Sequence, residues 1–314
     1  MENFVFSMNA TIPVFLVIVI GYFLRKKGMV NEEYVDISNK ILFHISMPAS
    51  LFQDISNANI NEVLDVKMLA FCMIVSSISF FCIWGGAKLF IKDKEIIGAF
   101  VQASFRSSAA IMGISFVKNM YGDLGMTPLM IIGCVPLFNA YSVILLSIEG
   151  KGRKGIQFKE ILMGIVKNPI IIGILLGLIG SVSGFNKYSP VILNKTIDNI
   201  AVLTSPLALL SIGAGFKGKE ALAKMKPTVV ATFIKLVALP AIFIPIAILL
   251  GFRNQDLVAL LIMTGAPTTV SCFIMAKSMN NDEILSGSVI VLSTILSSFT
   301  ITFSIYLLKI LGYI

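Results

Sequence analysis

The stretch "RSSAAIMGISFVKNMYGD", residues 106–123, decides how the fold is read. Hydropathy puts it in the middle and end of a membrane helix, yet it holds an arginine, three serines and no long aliphatic run. Apolar segments flank it on both sides. Backbone at membrane depth must be hydrogen-bonded or must line a wet cavity. A polar stretch at that depth therefore points to a water-filled site and not to a lipid face.

Composition sets the frame. The chain has 314 residues, of which 56% are hydrophobic and 13% charged, and its mean hydropathy is +0.90. A soluble core grows more slowly than its chain, so this much apolar surface would face water in a soluble protein. Repeated apolar runs of about 20 residues between short charged loops mean a polytopic helical membrane protein. The alternating ten-residue strands of a β-barrel are missing. The net charge of +8 sits in short loops, as the positive-inside rule requires, so nucleic acid is not the expected partner. Cys72, Cys82, Cys134 and Cys272 all fall in apolar segments without a CxxC pair. With His44 the single histidine, no disulfide framework, metal site or cofactor is expected. The basic cluster Arg25-Lys26-Lys27 follows the first apolar run, so that run reads as a retained span and not as a signal peptide.

Ten spans are expected, near 8–24, 35–55, 67–91, 96–118, 125–148, 160–182, 190–215, 227–250, 255–277 and 285–309. Alternate loops sort by charge, with fifteen lysines and arginines on one side and six on the other. The richer side is cytoplasmic, which puts both termini outside the plasma (cytoplasmic) membrane. The longest loop, "EGKGRKGIQFKE" (149–160), is basic and joins two halves.

Five spans per half force the halves to insert upside down relative to each other. Three echoes support a duplication. Pro13 and Gly21 match Pro169 and Gly177, "SMPASLF" matches "TSPLALL", and "VKNMYGD" matches "AKSMNND", at offsets of 156, 158 and 159 residues. Span four then pairs with span nine, "LLIMTGAPTTVSCFIMAKSMNND". Both carry small and polar residues mid-span: Ser107, Ser108, Gly113 and Ser115 in one, Gly265, Pro267, Thr268, Thr269, Ser271 and Cys272 in the other. Interrupted spans at matched positions mark transporter sites, because the second half of a broken helix starts with free N–H groups and a partial positive charge that attracts anions.

These segments, with "KNPIIIGILLGL", "SPLALLSIGA" and "ISMPASLF", resemble the auxin efflux carrier family. That family includes the plant PIN-formed auxin exporters and bacterial permeases assigned to malate or malonate. The resemblance covers essentially the whole chain, and the short central loop matches bacterial-type members. It implies an all-α fold shared with sodium/proton antiporters and bile-acid transporters, in which helices 4 and 9 are broken and cross. Scaffold helices 1–2 (residues 1–60) and 6–7 (151–218) would dimerise. Helices 3–5 (61–150) and 8–10 (219–314) would form the transport domain. The implied mechanism is elevator-type alternating access for a small organic anion. The crossover prolines of the plant exporters align with Ser115 and Cys272, and their span-four asparagine with Ser108. Tyr141 and Pro267 are kept. Breaks without those prolines would have to be held by Gly113, Ser115, Pro267 and nearby small residues, and the departures put auxin itself in doubt as the substrate.

Arg106 reads either as the counter-charge for an anion or as a structural arginine bonded to freed carbonyls. Lys235, deep in span eight, reads as a site or coupling residue or as a structural cation. Lys40 reads as snorkelling. Lys195 and Asp198 look like a local i,i+3 ion pair. Ser108, Thr268 and Thr269 are candidates to hydrogen-bond a carboxylate, although serine and threonine also pack routinely in membrane helices. The glycines of "IGAGFKG" (212–218) fit a hinge or close packing equally. A sodium- or proton-coupled carrier of the same fold competes with the uncoupled one. An intramembrane enzyme does not, since the Ser/His and paired-Asp motifs it needs are missing.

Overall fold

The computed structural model describes residues 2–56, 65–150 and 158–314, and every apolar run among them is helical, with no strand. Lys151, Arg153 and Lys154 of the central loop, and the boundaries expected at 60/61 and 150/151, touch segments outside the described residues. The first five apolar runs give α1 (Glu2–Lys26), α2 (Glu32–Ile41) and α3 (Met47–Ser56), α4 (Val66–Phe90), α5 (Ile97–Phe105) and α6 (Ala109–Tyr121), and α7 (Thr127–Glu149). The second five give α8 (Phe158–Val166) and α9 (Pro169–Ser183), the single turn α10 (Phe185–Tyr188), α11 (Val191–Val202) and α12 (Thr204–Ala214), the short α13 (Gly218–Ala223), α14 (Met225–Phe233) and α15 (Leu239–Leu249), α16 (Asn254–Gly265) and α17 (Ser271–Ser278), and α18 (Glu283–Ile310). The turns of residues 42–46 and 234–238 are π-helical and run on without interruption into α3 and α15.

Local chemistry sets many of these ends. Asn31, Asp65, Asn168 and Asp282 each accept a backbone N–H at a helix start, the usual role of a short polar cap. Pro13 lies inside the unbroken α1, whereas Pro169 opens α9, because Asn168 supplies the capping oxygen to Ile170 N at 2.9 Å. The echoing motifs after spans four and nine both end their helices through a left-handed residue, Gly122 at φ 84° and Asn280 at φ 53°.

Five helical stretches among the described residues are long and apolar enough to cross a membrane: α4, α7, α11–α12, α14–α15 and α18. Spans four, six and nine are each split into shorter helices, and a split helix has no unbroken run of membrane length. The packing explains why the first halves α5 and α16 tolerate this. Every residue of Ile97–Phe105 and of Leu257–Gly265 is buried, so these helices are encased in protein and not in lipid.

The main core joins α4, α5, α7, α15, α16 and α18, with Met68, Val101, Ala103, Leu145, Leu260 and Ile262 all fully buried. A second cluster, including Ile18, Val35, Leu209, Ile212 and Phe273, joins α1, α2, α12 and α17. Helix α1 packs on α12 so closely that a Cβ at Gly213 would overlap Ile18 O and one at Gly21 would overlap Leu210 O. Close packing, and not hinge freedom, is thus what Gly213 provides. Gly213→Val is expected to lower stability by about 3 kcal/mol or more, because two rigid backbones must separate; thermal unfolding of the detergent-solubilised protein checks this against Gly164→Val, where a Cβ meets nothing within 4 Å.

Candidate functional site

The two interruptions meet. Ser108 N donates to Pro267 O at 3.0 Å, Thr268 Oγ1 to Ala103 O at 2.7 Å and Ser107 Oγ to Ile262 O at 3.0 Å. Helix α6 packs on α16 and α5 on α17, so the two segments pass each other in opposite directions.

The breaks have different causes. In span nine, Pro267 has no N–H and pushes Ala266 into extended backbone (φ −71°, ψ 158°). In span four no glycine or proline is present at residues 106–108. Arg106 is extended at ψ 144°, and the three hydrogen bonds above hold the gap open. The expectation that Gly113 and Ser115 hold this break is corrected: α6 is continuous from Ala109 to Tyr121. Gly113 is small because α7 is close, a Cβ there standing 2.8 Å from Met130 Cε. Ser115 is exposed on α6.

The carbonyls freed at the two breaks are satisfied by donors from other segments. Ala103 O is taken by Thr268, whereas Ile262 O keeps Ala266 N at 3.0 Å and takes Ser107 Oγ as a second donor. At the end of α16, Thr264 O and Met263 O accept from Lys235 Nζ at 2.7 and 3.3 Å. Lys235 is fully buried and sits in the π-helical turn 234–238. A cation there offsets the negative end of the α16 dipole. The two helix starts differ from the ends: neither Ser108 before α6 nor Val270 before α17 gives a side-chain cap.

Both starts face one pocket of about 80 Å³. Arg106, Ser107 and Ser108 line it from the first break, Thr269, Val270 and Ser271 from the second. Phe138 and Asn139 of α7, Ser50 and Asp54 of α3, and Thr204 and Ser205 of α12 complete the wall. Arg106 is 3% exposed. Its two terminal nitrogens donate to Met275 Sδ and Asn139 Oδ1, each at 2.8 Å, while Nε has no partner. No ion pair joins Arg106 to a carboxylate among the described residues. A buried guanidinium with a spare N–H, beside two helix starts without a side-chain cap, has the chemistry to receive a small anion.

The pocket therefore gathers Arg106, Ser108 and Thr269 of the expected site residues. Pro267 and Thr268 stand behind it as braces, Thr268 N also donating to Ser293 Oγ at 3.2 Å. Cys272 is fully buried with Sγ 3.9 Å from Gln102 O. Tyr141 is outside the pocket wall; its hydroxyl is 2.8 Å from Ser77 Oγ and its ring stacks on Phe80 at 4.6 Å. Tyr141→Phe is therefore expected to cost about 1 kcal/mol of stability and to leave substrate KM within about twofold, read by thermal unfolding and by flux.

Two further expectations have structural outcomes. Among the described residues no ion pair joins Lys195 to Asp198; Asp198 Oδ1 instead accepts from Gln53 Nε2 of α3, a partner that only the packing of α11 on α3 brings close. Lys40 is exposed. His44 is exposed as well, with Nδ1 3.0 Å from Lys40 O. Sequence reasoning passed over Asn139, although a lone asparagine in the apolar run "PLFNAYSV" was a usable signal. Ser50 and Ser205 carried no signal, because nothing local says that α3 and α12 meet the breaks, and Asp54 stood out only as a carboxylate near the border of span two.

Comparison with known proteins gives the family. The chain is 24% identical to an uncharacterized transporter of Methanocaldococcus jannaschii, covering 98% of both chains. It is 22% identical to YfdV, an uncharacterized transporter of Escherichia coli, over 88% of this chain and 89% of that one. It is 21% identical to the "Putative malonate transporter" of Rhizobium meliloti, over 95% and 94%. Residues 6–305 match the family described as membrane transport protein, so two interrupted helices joined over a buried arginine belong here to a membrane transporter of the auxin efflux carrier family.

Proposed function

We propose that this chain is a secondary carrier for a small organic anion, a dicarboxylate of about malonate size, bound where the interrupted segments meet. Arg106 carries the reading: a buried cation with an unpaired N–H needs an acceptor, and a substrate carboxylate supplies one. Ser108, Thr269 and the start of α6, which no side chain caps, add donors to the same small space. About 80 Å³ is well below the few hundred Å³ of pockets that hold drug-sized ligands, which favours a short acid over an indole-bearing auxin. The name of the Rhizobium meliloti relative fits this class.

The architecture in this reading is ten spans in two inverted five-helix repeats, with both termini outside the plasma membrane. Packing of α1 on α12 and of α3 on α9 and α11 supports a scaffold of spans 1, 2, 6 and 7, through which two copies pair. Elevator movement of the remaining spans would break the contacts that α2 makes with α17. These are Asn39 Nδ2 to Ser278 Oγ at 2.7 Å and to Ile274 O at 3.3 Å, and Asp36 with Lys277 at 2.8 Å. Asn39→Ala is expected to shift the ratio of the two states by roughly tenfold toward the other access state, measured as altered cysteine accessibility at the site from each side.

One observation favours a proton-coupled form of the same carrier: Asp54 shares the pocket wall with Arg106. The deciding experiment is uptake of labelled malonate by the purified protein in liposomes, with and without a proton or sodium gradient. Saturable flux supports the carrier, and a gradient requirement that disappears in Asp54→Asn assigns the coupling. Absence of flux for malonate and its homologues overturns the substrate class.

A further inference from the structure

A second cavity, unrelated to the anion pocket, lies between α4 and the α14–α15 stretch. We propose that it binds one anionic phospholipid, with the phosphate between Lys92 and Lys226 and an acyl chain along the groove. The inference rests on the membrane setting and is independent of the transported substrate.

The groove holds about 920 Å³. Its floor is apolar, with Ala87, Ile96, Phe100, Leu239 and Phe243 all buried. Its rims stay exposed, with Phe90 at 84% and Ile242 at 54%. The α14–α15 wall runs from Lys226 to Ile246, roughly 30 Å of helix at 1.5 Å per residue. That exceeds one leaflet of a bilayer whose hydrocarbon core is about 30 Å thick. The length suits a fatty-acyl chain.

Charge is confined to one end, where the turn before α5 meets the start of α14. Lys92 and Lys226 line that end and are exposed, and neither has an ion pair among the described residues. The neighbouring lysines are already engaged: Lys88 with Glu149 at 3.0 Å, and Lys94 on Lys88 O and Ile91 O. Asp93 also lines the groove, but its carboxylate accepts from Glu95 N at 3.0 Å. Two uncommitted cations over an apolar trough match a phosphate over an acyl chain, and the charge pattern of the loops puts this end at the cytoplasmic leaflet, where anionic lipids concentrate.

The groove also touches the site's support. Ile234 and Ala238 in its wall belong to the π-helical turn that carries Lys235, whose ammonium satisfies the end of α16. An acyl chain seated there would press on the turn that presents Lys235.

The test uses the full-length protein, purified in detergent and delipidated. Phosphatidylglycerol, phosphatidylcholine with the same chains, or glycerol phosphate is added. Native mass spectrometry counts bound lipid, and thermal unfolding reads stabilisation. Phosphatidylglycerol is expected to bind roughly tenfold more tightly than phosphatidylcholine, and the preference to fall to about twofold in Lys92→Gln/Lys226→Gln. Gly86→Phe fills the groove from a position where a Cβ meets nothing within 4 Å, so it should fold normally and retain no lipid at one equivalent. Equal binding of both lipids by the native protein overturns the proposal. So does lipid retained by Gly86→Phe, or equal stabilisation by glycerol phosphate alone, which would mean a soluble-anion site. A lipid-free protein whose groove closes by pairing with a second copy, seen as a dimer that Gly86→Phe dissociates, overturns it as well.

Discussion

Arg106→Ala is expected to lower kcat/KM for dicarboxylate uptake by about a hundredfold, with the protein still folded. A charge-assisted contact to a carboxylate in a dry site is worth roughly 3 kcal/mol, the free-energy equivalent of that factor. Stability should change little because two effects oppose each other. Truncation leaves Asn139 Oδ1 without its donor, at about 1–3 kcal/mol for a buried acceptor, while Met275 Sδ keeps Gln102 Nε2 at 3.4 Å. It also removes a charge that is costly to hold at 3% exposure. Arg106→Lys keeps the charge but not the planar fork and should retain roughly a tenth of wild-type kcat/KM. Flux in liposomes, paired with thermal unfolding, separates the outcomes. If both variants transported like the native protein, the pocket between the breaks would not be the substrate site.

Lys235→Met is the second large effect, and its signature differs. The substitution leaves Thr264 O and Met263 O without their donor, while it spares the protein a fully buried ammonium. The two contributions are of similar size, so the melting temperature should move by only a few degrees. The electrostatic consequence does not cancel. The C-terminal end of α16 carries about half a negative charge, and Phe138 lines both the pocket between the breaks and the small cavity beside Lys235. Uncovering that negative end is expected to weaken anion binding by on the order of 1–2 kcal/mol, roughly five- to thirtyfold in Kd. Lys235→Arg should recover most of the affinity if its charge is what matters. A large thermal destabilisation with unchanged affinity would instead make Lys235 a purely structural brace.

Legibility of the site follows the origin of each feature. The span-nine break was readable because proline acts locally: it lacks an N–H and forces the preceding residue out of helix. Arg106 was readable because a charge inside an apolar run is costly wherever it ends up. Asn139 carried a weaker form of the same signal. Gly113 and Ser115 misled because small residues serve close helix contact as readily as bending, and only the distance to Met130 tells the two apart. Asp198 misled for a related reason, since the i,i+3 spacing offers Lys195 as a partner while the fold delivers Gln53.

By itself the sequence determined the environment, the helical class, the alternation of charge between loops, the matched polar interruptions and the resemblance to a transporter family. These rest on composition and on short-range periodicity, which are properties of the chain before it folds. The tertiary structure alone decided where span four opens. At residues 106–108 no local residue forbids helix; the gap exists because Ala103 O, Ser107 Oγ and Ser108 N find their partners across the crossing. The fold also decided that Lys235 covers the end of α16 and that α3 and α12 wall the pocket. Hydrogen bonds between residues more than a hundred positions apart leave no pattern in either partner's neighbourhood, so they become visible only once the two segments meet.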